Sequence, residues 1–183
     1  MKLEEIKSKL KPIVAKCVLH GDFTLASGKK SDLYFDGRLV TLSAEGLSLL
    51  SQAVLEMIAG KDISAVGGMA VGADPITGGV VATAGARGAK LSGFIVRKEA
   101  KAHGTGKQVE GPKPPAGAKV VLLEDVVTTG GSSLKALEAV KRELDVKVIA
   151  VIALLDRLEG GAEALKAAGV ELWPVFTRKD FEK

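Results

Sequence analysis

Two adjacent carboxylates followed by a run of hydroxyls and glycines form the most chemically suggestive stretch of the chain. Residues 120–133 read VVLLEDVVTTGGSS: an apolar run suited to a buried strand, then Glu124 and Asp125, then Val126, Val127, Thr128, Thr129, Gly130, Gly131 and Ser132 opening a helical pattern. Glycines leave backbone N–H groups unobstructed, the hydroxyls add donors, and a helix N-terminus carries the positive end of its dipole, so 128–132 suits a phosphate. In a parallel α/β sheet, ligands collect at the carboxyl ends of the strands. The acid pair is expected at such an end, accepting hydrogen bonds from sugar hydroxyls. The two halves together suggest a phosphorylated ribose. Taken alone, TTGGSS is equally an ordinary capped turn; the acids directly upstream favour the ligand site. Neither Gly-x-x-x-x-Gly-Lys-Ser/Thr nor a dinucleotide-binding glycine fingerprint occurs, which removes the commonest nucleotide-binding alternatives.

A second cluster is cationic. Residues 97–111, RKEAKAHGTGKQVEG, gather Arg97, Lys98, Lys101 and His103 with Gly104, Gly106 and Gly111. A charge run is by itself a solvated surface. This one directly follows an expected strand and includes one of only two histidines, which favours a loop that covers an anion and excludes water. The other histidine, His20, has no partner motif and reads as a surface or turn residue. Arg157 follows a further expected strand, and a guanidinium matches a carboxylate through paired hydrogen bonds. A surface Asp156–Arg157 pair is the plain alternative. Tyr34 and Phe35 suit either a cover for a planar ring or the core.

These groups need a scaffold, and the pattern supplies one. Leu3, Ile6, Leu10, Val14 and Cys17 have helical spacing, with a kink expected at Pro12. Turn residues around Ser27 and Gly28 precede a short strand at 33–35. Ser43 suits a helix N-cap, with Glu45 in the first turn, Leu47, Leu50, Val54 and Ile58 on one face and Gly60 at the end. Strands are then expected at 63–69, 91–96, 119–123, 146–155 and 170–176, and helices at 75–86, 132–144 and 162–168. Gly78 and Gly79 weaken the first of these helices. Strands apolar on both faces that alternate with amphipathic helices indicate βαβ units and a parallel sheet. Residues 97–118 form the one long connection, which in a compact domain marks a functional or mobile segment.

Composition agrees. A chain of 183 residues, 46% hydrophobic and only 4% aromatic, builds its core from Val, Leu, Ile and Ala, as parallel sheets do. The net charge of +4 suits a small polyanion as well as a nucleic acid, and its local clustering favours the former. A lone cysteine, Cys17, excludes an intrachain disulfide, is expected to pack as a small hydrophobe, and points to a reducing compartment. One cysteine and two distant histidines argue against structural zinc. The charged N-terminus reads as no signal peptide, and the longest apolar run, 148–155, is too short to span a bilayer. A cytoplasmic enzyme with no membrane partner is expected.

Beyond these readings, VVLLEDVVTTGGSS resembles the 5-phosphoribosyl 1-diphosphate (PRPP) signature of the type I phosphoribosyltransferases. RKEAKAHGTGKQVEG resembles the mobile catalytic loop of the orotate phosphoribosyltransferases in particular. FTLASGKKSDLYFDGR, residues 23–38, resembles that family's N-terminal substrate segment, and LLDRLEGG, residues 154–161, its orotate-binding turn. The resemblance implies the type I phosphoribosyltransferase fold, an α/β architecture with a Rossmann-like central parallel sheet flanked by helices. It also implies one domain over 1–183, with a small hood formed mainly by about 1–40 and the C-terminal segment, and a flexible loop at 97–111. The implied reaction transfers ribose 5-phosphate from PRPP to orotate, giving orotidine 5′-monophosphate and diphosphate. By the same resemblance Lys101, His103 and Asp125 are catalytic. Arg97, Lys98, Lys101, His103, Glu124, Asp125, Val126, Val127, Thr128, Thr129, Gly130, Gly131 and Ser132 bind PRPP, and Thr128 and Arg157 contact orotate. Mg²⁺ is the implied cofactor, carried by the phosphates with no protein ligand assigned. The implied assembly is a homodimer that shares loop 97–111 across subunits.

Two positions depart from many members of that family. Ala26 and Val71 stand where lysines are common, leaving Lys29 or Lys30 to supply charge. Two rival functions use the same residues differently. A transferase for another base would not need Arg157 or this loop. A PRPP-sensing regulator would bind nucleic acid, yet no helix-turn-helix or aromatic ribonucleoprotein motif is present, so no nucleic-acid partner is expected.

Overall fold

A computed structural model describes residues 1–24, 30–99 and 106–182. The chain begins with α1 (Leu3–Ala15), whose Ile6, Leu10 and Val14 are buried and which continues through Pro12. Two antiparallel strands follow, β1 (Val18–Thr24) and β2 (Lys30–Phe35), forming a separate two-stranded sheet. A short helix, α2 (Arg38–Thr41), leads to α3 (Ala44–Ile58), where the Ser43 hydroxyl accepts from Gly46 N at 3.1 Å as the expected N-cap.

The remaining elements build a βαβ array: β3 (Ile63–Met69), α4 (Ala73–Ala86), β4 (Ser92–Val96), β5 (Val109–Glu110), β6 (Ala118–Val127), α5 (Gly131–Glu143), β7 (Val146–Asp156), α6 (Gly161–Ala167) and β8 (Glu171–Thr177). The main sheet has the order β5-β4-β3-β6-β7-β8, parallel throughout except for β5. Side chains alternate along a strand, so each strand feeds two layers. Val121 and Leu123 join Leu10, Leu50, Val54 and Ile76 on one face. Val120 and Leu122 join Ala136, Leu137, Val140 and Leu165 on the other. Both faces of the sheet are therefore covered, which is why its strands read as continuous apolar runs. Among the described residues no helix is long and apolar enough to cross a membrane.

The structure differs from the sequence expectation at four places. β1 is an unexpected strand, because Gly21 and a register shift between His20 and Phe23 interrupt its alternation; His20 lies within that strand rather than in a turn. β5 forms inside the long polar connection by pairing with the end of β4. β6 does not stop at Leu123. It runs through the acid pair to Val127, because β7 continues to pair with it as far as Val127↔Asp156. Cys17 lies just beyond α1, buried as expected, with its thiol donating to the Ile13 carbonyl at 3.3 Å.

Candidate active site

β3 ends at Met69 and last pairs with β6 at Leu122, so the tip of β6 separates from its neighbour and leaves an opening. A cavity of about 620 Å³ fills it. One wall is the β6 tip with Glu124, Asp125 and Val126; another is Met69, Ala70, Val71 and Gly72 after β3; a third comes from Tyr34, Phe35, Asp36, Gly37 and Arg38 after β2. Lys98, Ser132, Leu42 and Pro75 stand around the rim.

Asp125 is held between two glycines. A Cβ on Gly72 would stand 2.9 Å from Asp125 Oδ1, and one on Gly37 would stand 3.1 Å from Asp125 Cβ. The carboxylate also accepts from Val126 N at 2.8 Å, so its direction is set by backbone on three sides. Side chains that a glycine lacks would push it out of the cavity wall.

Glu124 lies beside it on the wall, its carboxyl hydrogen-bonded to that of Asp125. It is buried, with Oε2 accepting from the Ser133 hydroxyl at 3.2 Å on α5. Burial, reinforced by the charge of Asp125, pushes its carboxyl up to about 8, and the Ser133 hydrogen bond opposes the rise. The folded state thus holds this proton more tightly than the unfolded chain, whose ordinary value is 4.5. The resulting stabilisation is complete below about 4.5 and is lost as pH rises through about 8. Thermal midpoints are therefore expected to fall between pH 5 and pH 8.5, the slope to be read by calorimetry. Glu124→Gln should flatten that slope; an unchanged slope would reject the assignment.

Beyond Val127 the chain turns into α5 through Gly130, whose φ of 81° lies in the left-handed region that favours glycine. The first N–H groups of α5 have no carbonyl within the helix to serve, so they remain available to an anion. This turn is backed by a second one. A Cβ on Gly161 would collide with Val127 and lie 2.6 Å from the Thr128 carbonyl and 3.2 Å from Gly130 N. The close approach of Gly161 thus fixes the backbone of 128–130, a role that only the packing of α6 against this loop reveals.

Arg157 sits beside the same loop. Its N–H donates to the Val127 carbonyl at 2.9 Å, and its guanidinium meets Glu159 at 2.8 Å. Asp156 and Arg157 are only 3% and 5% exposed, which overturns the surface-pair alternative. Asp156 instead accepts from Leu158 N at 2.9 Å and shapes the turn.

Of the residues expected from sequence, Lys98, Glu124, Asp125, Val126 and Ser132 line the cavity. Arg97, Val127, Thr128, Thr129, Gly130, Gly131 and Arg157 lie outside its lining. Lys101 and His103 fall outside the described residues, as do Ala26 and Lys29. Tyr34 and Phe35 both line the cavity, but Phe35 is buried against the core, whereas Tyr34 is exposed with Phe23 packed at 5.5 Å. Val71 is on the wall and strongly exposed, and among the described residues the cations of the lining are Arg38 and Lys98. Sequence reasoning missed Asp36 and Arg38. Arg38 grips Asp36 through Nε and Nη2 at 2.9 and 3.2 Å, and those hydrogen bonds hold the Asp36 carboxyl below its ordinary range. The signal was an Asp-Gly-Arg placed directly after the aromatic pair.

Residues 48–176 match the phosphoribosyl transferase domain. Over 182 residues the chain is 49% identical to the orotate phosphoribosyltransferase of Rhodopirellula baltica, covering 94% of this chain and 93% of that one. The chain belongs to the orotate phosphoribosyltransferase family. The Streptomyces avermitilis orotate phosphoribosyltransferase is 46% identical over 162 residues, 88% of each chain. Among solved structures, the Mycobacterium tuberculosis orotate phosphoribosyltransferase in complex with Fe(III) dicitrate superposes with a TM-score of 0.81 at 35% identity, covering 97% of this chain and 99% of that one. The same enzyme in complex with 5-phospho-α-D-ribosyl 1-diphosphate gives 0.77 at 30% identity, covering 96% and 98%. The architecture is accordingly the type I phosphoribosyltransferase fold, with a mainly parallel sheet flanked by helices.

Proposed function

We propose that this chain transfers the 5-phosphoribosyl group of PRPP to orotate in pyrimidine biosynthesis, with the reaction centred on the β6 tip. One juxtaposition carries the reading: a carboxylate fixed on the cavity wall at Asp125 stands five residues before the left-handed Gly130 that opens α5. That spacing suits a pentose whose hydroxyls meet the acids while its 5′-phosphate meets the N–H groups of 128–132.

In the reaction a ring nitrogen of orotate forms a bond to the anomeric carbon as the carbon–oxygen bond to diphosphate breaks. Positive charge grows on the ribose and negative charge on the leaving group. Asp125 and Glu124 orient the sugar, and Asp125 faces its developing positive charge. Arg97 and Lys98, with Lys101 and His103, stabilise the departing diphosphate, and segment 97–111 excludes water from the reacting centre. The β1–β2 pair and the residues after it act as a hood, with Tyr34 against the pyrimidine. Thr128 and Arg157 receive orotate.

Mg²⁺ is the cofactor in this reading. The donor set fits a magnesium held chiefly by phosphate oxygens and water: the Asp125 carboxylate and the Glu124 carboxyl stand on the wall, and among the described residues no group of three or more His, Cys, Asp or Glu is placed to cage a metal. When bound with PRPP it neutralises charge on the diphosphate. We further place the enzyme in the cytoplasm as a homodimer with segment 97–111 shared between subunits.

Orotate carries a carboxylate that uracil lacks, and Arg157 is the residue assigned to it. Arg157→Ala is expected to raise KM for orotate by roughly tenfold or more, the loss of one charge-assisted hydrogen bond, with KM for PRPP nearly unchanged. Steady-state kinetics with each substrate varied in turn checks this; an equal rise in both constants would reject carboxylate recognition.

A further inference from the structure

The phosphate loop and segment 97–111 are joined by a connection that neither motif contains. α5 starts at the phosphate loop and, at about 1.5 Å per residue, its 13 residues carry the chain to Glu143 beside β5 at the edge of the sheet. There Glu143 accepts from Gln108 N at 3.1 Å and from Val109 N at 3.0 Å. Arg142 donates to the Gln108 side-chain carbonyl. The Gln108 amide then donates onward, to the Arg97 carbonyl at 3.1 Å and the Lys98 carbonyl at 3.3 Å. Arg97 N closes the ladder onto the Gln108 carbonyl at 2.9 Å. Hydrogen bonding to these two N–H groups and to Arg142 holds the Glu143 carboxyl below its ordinary range, although burial opposes it.

We propose that Gln108, clasped by Arg142 and Glu143, is a positioning residue that sets Lys98 on the cavity rim. Its side chain makes two kinds of contact at once, accepting from Arg142 and donating to two successive carbonyls, the second being that of the cavity-lining lysine. α5 thus fixes both the anion-binding turn at its N-terminus and a cation for the diphosphate at its C-terminus. The inference rests on the proposed role of Lys98 in binding PRPP.

Three variants test it. Gln108→Ala removes both contacts, whereas Gln108→Glu keeps an acceptor for Arg142 and places a carboxylate against the two carbonyls. Both are expected to raise KM for PRPP by roughly tenfold, a modest fraction of what misplacing a binding group can cost, with KM for orotate and the thermal midpoint unchanged. Against a Lys98→Ala background, Gln108→Ala should add nothing. A further rise there would show that Gln108 acts on the fold and not through Lys98, and would overturn the proposal. An unchanged KM in Gln108→Ala would overturn it too, leaving the Lys98 reading intact if Lys98→Ala alone raises KM. An unchanged KM in Lys98→Ala would remove both.

Discussion

Lys101→Ala should turn over about 10²–10³ times more slowly than the unaltered chain, the usual cost of deleting one group that stabilises transition-state charge. The leaving diphosphate carries several negative charges, and the described cavity offers only Arg38 and Lys98 as cations on its lining, with Val71 where a lysine is common in the family. In the proposed reaction segment 97–111 supplies the remainder. Because this charge matters most as the bond breaks, kcat should fall more than KM for PRPP rises. Pre-steady-state mixing would separate the two. The proposed sharing of segment 97–111 makes a second expectation: Lys101→Ala and Asp125→Asn subunits, each inactive alone, should form hybrid dimers that each contain one intact site. Random mixing would then restore about a quarter of the unaltered activity, as two-fold pairing requires. Unchanged turnover in Lys101→Ala would reject its catalytic role, and failure of the mixed variants to recover would reject sharing.

Gly161→Ala should raise KM for PRPP by about 10²-fold, the scale expected when a binding group shifts by an ångström. The new methyl has no free volume, since the Thr128 carbonyl and Gly130 N stand 2.6 and 3.2 Å from its position. Backbone cannot rotate away as a side-chain end can, so the turn 128–130 or α6 must move. Overpacking of this kind costs about 1–3 kcal/mol, and a lower thermal midpoint should accompany the loss of affinity. Gly131→Ala is the matched control, because its Cβ would meet nothing closer than Thr129 Oγ1 at 3.9 Å. It should leave the midpoint unchanged and weaken PRPP binding only by blocking approach of the phosphate. Titration calorimetry reads both; normal affinity in Gly161→Ala would show that its packing does not shape the turn.

Much of this architecture is legible in residue order. β3, β7 and α5 follow from apolar runs and helical spacing, because burial on both faces of a parallel sheet leaves no polar interruption to misread. The Ser43 cap follows from local chemistry alone. What escaped depends on partners distant in sequence. β6 extends past its acids only because β7 pairs with that tip, and Glu124 and Asp125 break the apolar pattern that would otherwise announce it. β1 hides behind Gly21 and its irregular register. Gly161 looked like the end of a turn motif, yet its importance lies in the loop pressed against it. Asp36 and Arg38 carry no role of their own within segment 23–38 until the cavity wall forms around them.

At the centre of the proposed reaction is a pentose held by Asp125 beside the α5 N-terminus, with an acid pyrimidine as acceptor. The direct measurement follows ultraviolet absorbance of orotate on addition of PRPP to the purified chain, with Mg²⁺ and with chelator. Orotate is expected to be consumed only when PRPP and Mg²⁺ are both present, and uracil in its place should remain unreacted. Persistence of orotate under those conditions, or equal consumption of uracil, would contradict the assignment.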